Sequence, residues 1–307
     1  MEAIELVRSF IKERLDGDIE RLSTFELGNL RGDDIYGCPN RNFDSDDTEL
    51  MRAIYCIVFA DAWEHISMDN LGEGKLRGDT MNSYNTLFSP TWKERFSEIW
   101  NPDKELVAKI RKYHKICYTI GNMTILPDKR IGEWSINKHR GCHDEWHDYE
   151  DRFLAALHKV LTQQADRDPD LEELVKLNEE DFRPLYGVEG WRSFIEKNML
   201  EYYVGDDYVP MVKSLGYTYW RGGYTNRERF FSECHRYIDD STQIINNRAK
   251  RMIEILKEQL IFAPLRSAPE KSTSSILVSA SILTPSIFAL VKVTLMSLAP
   301  EKFAPES

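Results

Sequence analysis

The strongest constraint in this chain is a long run of apolar residues at helical spacing near its C-terminal end. Between Arg227 and Phe262, Phe230, Cys234, Tyr237, Ile238, Ile245, Met252, Ile255 and Leu256 recur mainly three, four and seven residues apart. That period belongs to one face of an α-helix. Ile4, Val7, Phe10, Ile11 and Leu15 repeat the pattern at the start of the chain, where Gly17 and Asp18 end it. Asp47 or Thr48 is placed to cap a third helix, which runs through Leu50, Ile54, Tyr55, Val58, Phe59 and Trp63. Its wide apolar face predicts a central core position.

Further helices are expected over 103–113, 143–164, the segment holding Leu171, Leu174 and Leu177, and 190–203. Gly, Asn and Asp mark 28–47 as loop, and 127–142 reads as loop as well. Around Gly121 and Asn122, the β-branched and aromatic residues of 117–126 suggest a short strand or hairpin. The expected fold class is therefore mainly α: a single large helical domain over 1–262 with a short β hairpin near 117–126.

The composition changes after residue 262. Residues 263–307 read as a C-terminal tail, in which 276–298 is apolar with Lys292 as the sole charge. Twenty-three residues is long enough to cross a bilayer as a helix. Frequent Ser and Thr, and Pro285 in the middle, favour instead a tail that packs on the body or hangs free.

The chain carries 51 acidic and 40 basic residues, a net charge of -11, which disfavours a broad nucleic-acid surface. Five cysteines, an odd count with no CxxC pair, predict reduced thiols and a cytoplasmic protein. Walker A, GxSxG, Rossmann glycine and paired-cysteine zinc patterns are absent from the sequence.

Several polar constellations stand out. Residues 76–86 hold Arg77 and Asp79, with Asp79 placed as the N-cap of a helix that would bring Asn82, Asn85 and Thr86 onto one face. Asn122 is suited to holding a loop by bonding to backbone, and Asn137 to bonding back to that loop. With Arg140, these residues form the candidate ligand-binding set, though a buried network that only stabilises the fold would use the same groups. His143, His147 and Asp151 fall four residues apart and could offer three ligands to a divalent metal, completed from the loop by His139 or Cys142. No other cofactor is expected. Residues 217–224, YTYWRGGY, could stack a ring or seal the core.

Residues 77–86 (RGDTMNSYNT), 120–127 (IGNMTILP) and 140–154 (RGCHDEWHDYEDRFL) together resemble a family of uncharacterised bacterial proteins over about 49–262. That resemblance implies one fold and transfers no activity. Residues 121–126 with Asn137 are also similar to the second half of HNH-type nuclease domains. The upstream Asp-His-Ile segment that supplies the water-activating base there is missing, and His114 is the nearest histidine. The sequence thus suggests a binding or regulatory protein with a small-molecule or protein partner. The alternatives are a metal-dependent hydrolase or nuclease and a membrane protein anchored through 276–298.

Overall fold

The computed structural model describes residues 2–38, 43–82, 104–142, 149–214 and 227–262. The chain divides into Met1–Pro264 and Leu265–Ser307, and every described residue belongs to the first unit.

Helix α1 (Ala3–Arg14) buries Leu6, Val7, Phe10 and Ile11. Phe10 meets Phe25 and Tyr36 edge-on at 5.1 and 5.0 Å. Gly17, at φ +80, turns its N–H back to the Ile11 carbonyl at 3.0 Å and ends the element. Helix α2 (Glu49–Val58) is capped by Thr48, whose hydroxyl accepts from Met51 N. Apart from Glu49 and Cys56, its residues are buried, Arg52 included, as the wide apolar face predicts. It stops short of Trp63, which packs against Phe182 and Phe194.

Helix α3 (Met68–Gly72) leads into strand β1 (Leu76–Thr80). Helix α4 (Lys104–Cys117) is followed by a 3-10 turn at Ile120–Asn122 and then strand β2 (Met123–Pro127). The two strands pair antiparallel, Leu76 opposite Pro127 and Thr80 opposite Met123. The fold is mainly α with a short β element near 117–126, and the partner strand comes from a segment more than forty residues upstream.

Helix α5 (Ile136–Cys142) lies where the sequence reads as loop. Helix α6 (Glu150–Leu161) carries the buried stripe Phe153, Leu154, Leu157, Val160 and Leu161, and starts later than the apolar pattern suggests. Helix α7 (Pro169–Leu177) has Asp168 as its cap, with Pro169 at the first turn. Helix α8 (Gly187–Lys197) and a 3-10 turn at Glu201–Tyr203 cover the expected 190–203 region.

Helix α9 (Arg227–Phe262) has the bounds its periodicity gives. At 36 residues it is about 50 Å long, and it joins two apolar clusters. Near its start, Cys234, Tyr237, Ile238 and Ile245 pack with Leu106, Ile110 and Tyr113 of α4. Further on, Ala249, Met252, Ile253 and Leu256 join the larger core built on α1, α2 and α6. Among the described residues no helix is long and apolar enough to cross a membrane, and 276–298 lies outside them.

Candidate functional site

Two side-chain groups flank β1, and their chemistry differs. The first is a clasp. Asn122 is fully buried and reads the backbone just beyond β1: its Oδ1 accepts from Asn82 N at 3.1 Å, and its Nδ2 donates to Asn82 O and Cys117 O, each at 2.9 Å. Its own carbonyl accepts from Met81 N at 2.8 Å. Asn82 Nδ2 donates to the Tyr203 hydroxyl at 2.8 Å. Asn137, on α5, donates from Nδ2 to Arg77 O at 3.3 Å. Asn122 bonds to backbone as the sequence suggests, whereas Asn137 bonds to β1 at Arg77 O and not to the 120–127 loop.

Gly121 explains why the turn before β2 needs glycine. A Cβ there would lie 2.1 Å from Ile245 O, inside the backbone of α9. Arg248, one turn further along α9, is buried and donates to Asn198 O and Gly121 O at 3.1 Å each, and also to Met123 O. Burial lowers its pKa to about 10, so it stays protonated at neutral pH.

Asp79 corrects one expectation. It is the fourth residue of a strand and not a helix N-cap, because β2 supplies a ladder partner for each residue of 76–80. Its Oδ2 lies 2.7 Å from Arg140 Nη2. Arg140 projects from α5, fully buried, and donates to Thr80 O at 2.8 Å, Met81 O at 3.3 Å and Glu150 Oε2 at 3.2 Å. Burial pushes the Glu150 carboxyl up to about 7, against the pull of Arg140 and Arg248. Arg140 thus joins β1, α5 and the start of α6. The Arg/Asn-rich and His/Asp-rich segments meet through it.

Asp151 serves the next turn of chain. Its Oδ2 accepts from Lys213 N and Ser214 N at 2.7 Å each, and its Oδ1 from the Ser214 hydroxyl at 2.8 Å and Arg152 N at 2.9 Å. His143, His147 and Asn85 lie outside the described residues, as does 217–224. His139 sits on α5 with Nε2 3.3 Å from Asp168 Oδ1, Cys142 is exposed, and His114 is exposed against the Tyr118 ring. Among the described residues no three His, Cys, Asp or Glu side chains converge as a metal would require.

The second group lines an open cavity of about 260 Å³ that includes Asp46, Arg77, Asp79, Asp128 and Asn137. Three of the residues singled out from sequence (Arg77, Asp79 and Asn137) therefore share one cavity, and Asn82, Asn122 and Arg140 hold its β1 wall from behind. Here polar atoms are left over. Asp46 Oδ1, Asp128 Oδ1 and Asn137 Oδ1 are buried and find no protein donor. The other oxygen of Asp128 accepts from Arg130 Nε and Nη2 at 3.0 and 2.5 Å. Burial raises the Asp46 pKa well above the carboxylate range, and the nearby Asp44 and Asp79 add to this. Gly78 admits the approach: a Cβ there would stand 2.5 Å from the Tyr55 hydroxyl and 2.8 Å from Asp46 O.

Asp46, Asp128, Glu150 and Arg248 are not marked by sequence reasoning. Each sits in a charged stretch, SDDTE, PDKR, YEDR or NNRAKR, that reads as a solvated face. No curated protein and no solved structure matches the chain. One family model does, over residues 65–252, which is more than half of the chain and takes in β1, the clasp and most of the cavity wall. The chain belongs to that family, described as a family of unknown function (DUF6994).

Proposed function

We propose that the body formed by the described residues is a binding module, with the cavity beside β1 as its ligand site. One observation carries this reading: three residues from three separate segments line one cavity, and each holds a buried oxygen without a donor. A buried polar atom without a partner costs about 1–3 kcal/mol, and a ligand that donates to it recovers that cost. The wall behind the cavity is held by Arg140, Asn122 and Asn137, which fits a preformed site. The test is a thermal-shift screen of the full chain against small polar metabolites: amino acids, nucleosides, sugars and carboxylic acids. At least one compound should raise the Tm of the wild type and leave Asp128→Asn unmoved. A screen in which no compound moves the wild type overturns the reading.

A metal-dependent hydrolase is a second reading. It is favoured by the pairing of β1 with β2, and by Asn137 on α5, the helix after β2, bonded to Arg77 O on β1. Manganese-dependent cleavage of bis(p-nitrophenyl) phosphate, lost in Asp79→Ala, would support it, and no turnover above the variant would remove it.

A further inference from the structure

The cavity beside β1 has a pronounced chemical bias. Asp46, Asp128 and Asn137 are each more than nine-tenths buried, and the atom each leaves over is an acceptor. A ligand that also offers only acceptors gains nothing there. A protonated amine offers three N–H donors and no acceptor, and a guanidinium five in a plane. Asp128 is paired with Arg130 and Asp79 with Arg140, and Asp44 adds a further carboxylate to the lining, which favours a charged donor over a neutral one.

The rim is different. Three basic residues stand at it, and two have acidic partners: Arg130 with Asp128, and Lys138 with Glu133 at 3.3 Å. Arg77 is exposed, and among the described residues no acidic side chain pairs with it. An amine alone would leave Arg77 unused, and an anion alone would face the acids below. We propose that the cavity takes a small zwitterion of amino-acid size, with its ammonium or guanidinium head on Asp46, Asp128 and Asn137 and its carboxylate against Arg77. This rests on the reading of the cavity as a ligand site. It assigns to Arg77, on one wall of the cavity, the task of telling an amino acid from the corresponding simple amine.

Calorimetric titration of the full chain tests it, with L-lysine, L-ornithine and L-arginine as probes. Cadaverine, which is lysine without its carboxylate, and L-norleucine, which lacks the side-chain amine, are the controls. At least one of the three amino acids should bind saturably, cadaverine about tenfold more weakly, as expected for loss of a charge-assisted bond, and norleucine not at all. Arg77→Ala should weaken the amino acid about tenfold and leave cadaverine unchanged, which no purely structural role would produce. Asp128→Asn should abolish both. Should Asp128→Asn fail to fold, Arg77→Ala, a change at an exposed position, still decides the matter.

Equal binding of norleucine and lysine would overturn the proposal, as would saturation by Mn2+ with no effect of the amines. If none of the three amino acids binds at millimolar concentration while another metabolite stabilises the wild type, this assignment falls and the cavity remains a ligand site. If nothing binds, the cavity holds water and both readings fall.

Discussion

The two sides of β1 contrast in how they treat buried polar groups. Behind the strand, Asn122 uses its side-chain oxygen and its amide nitrogen on three backbone groups, and Arg140 reaches two carbonyls and two carboxylates. In front of it, Asp46, Asp128 and Asn137 each keep an oxygen that no protein group satisfies. Both sets are buried and lie against the same short strand. Burial alone therefore does not separate a group that holds the fold from one that waits for a ligand. Neither does a single unmet atom, since Arg248 Nη2 and the Tyr55 hydroxyl are also buried without a partner; what marks the cavity is three unmet acceptors on residues that line it together. The clasp is structural, and cutting it costs stability. The cavity carries a standing cost, and relieving that cost should help the protein.

The largest break should come from Arg140→Ala. It strands Glu150 and two carbonyls in the interior, and losing one partner of a buried ion pair costs about 3–5 kcal/mol. Urea unfolding should show this as a lower midpoint with an unchanged slope. Asn122→Ala should follow, at roughly 2–4 kcal/mol for the backbone groups it leaves unpaired.

Glu150 sharpens the comparison through pH. Its pKa rises from 4.5 to about 7 on folding, so the folded protein holds that proton more tightly than the unfolded chain does. The stability this brings is complete below about 4.5 and is lost as pH rises through 7. It amounts to about 3 kcal/mol at most. Unfolding measured from pH 5 to 8 should decline in the wild type, and the decline should flatten in Glu150→Gln; an unchanged slope would mean that another group titrates there.

The smallest effect, and one of opposite sign, belongs to the cavity. The Asp46 pKa is also raised on folding, so ionised Asp46 is a burden at neutral pH. Asp46→Asn, which keeps the shape without the charge, should leave the protein equally or slightly more stable at pH 7, with any gain vanishing in acid. A clear loss of stability would place Asp46 with the clasp.

Different elements were legible to different degrees. The bounds of α9 were legible because eight apolar residues keep one helical face across 36 positions. β1 was not, since Arg77-Gly78-Asp79-Thr80 carries no alternation, and its strand character comes from pairing with 123–127, a contact that local pattern does not encode. The short helix α5 was hidden for a related reason: Asn137, His139 and Arg140 look like loop residues until Arg77, Asp168 and Thr80 are seen to receive them. In the site, Arg77, Asp79 and Asn137 were found by residue type. Asp46 and Asp128 were missed because an acid inside SDDTE or PDKR differs from its neighbours only in burial, which is a tertiary property. Asn85, His143 and His147 fall outside the described residues.

Arg248 has a further consequence. One guanidinium on α9 answers the carbonyls of Asn198, Gly121 and Met123, which belong to two stretches of chain far apart in sequence. If the long helix peels away, the turn before β2 and the end of α8 lose their donor in the same event, and a local opening becomes a general one. Amide exchange should therefore find Met123, Asn198 and the middle of α9 opening at a shared rate, so that the part of the chain with the plainest sequence pattern also acts as the common latch for the parts with the faintest.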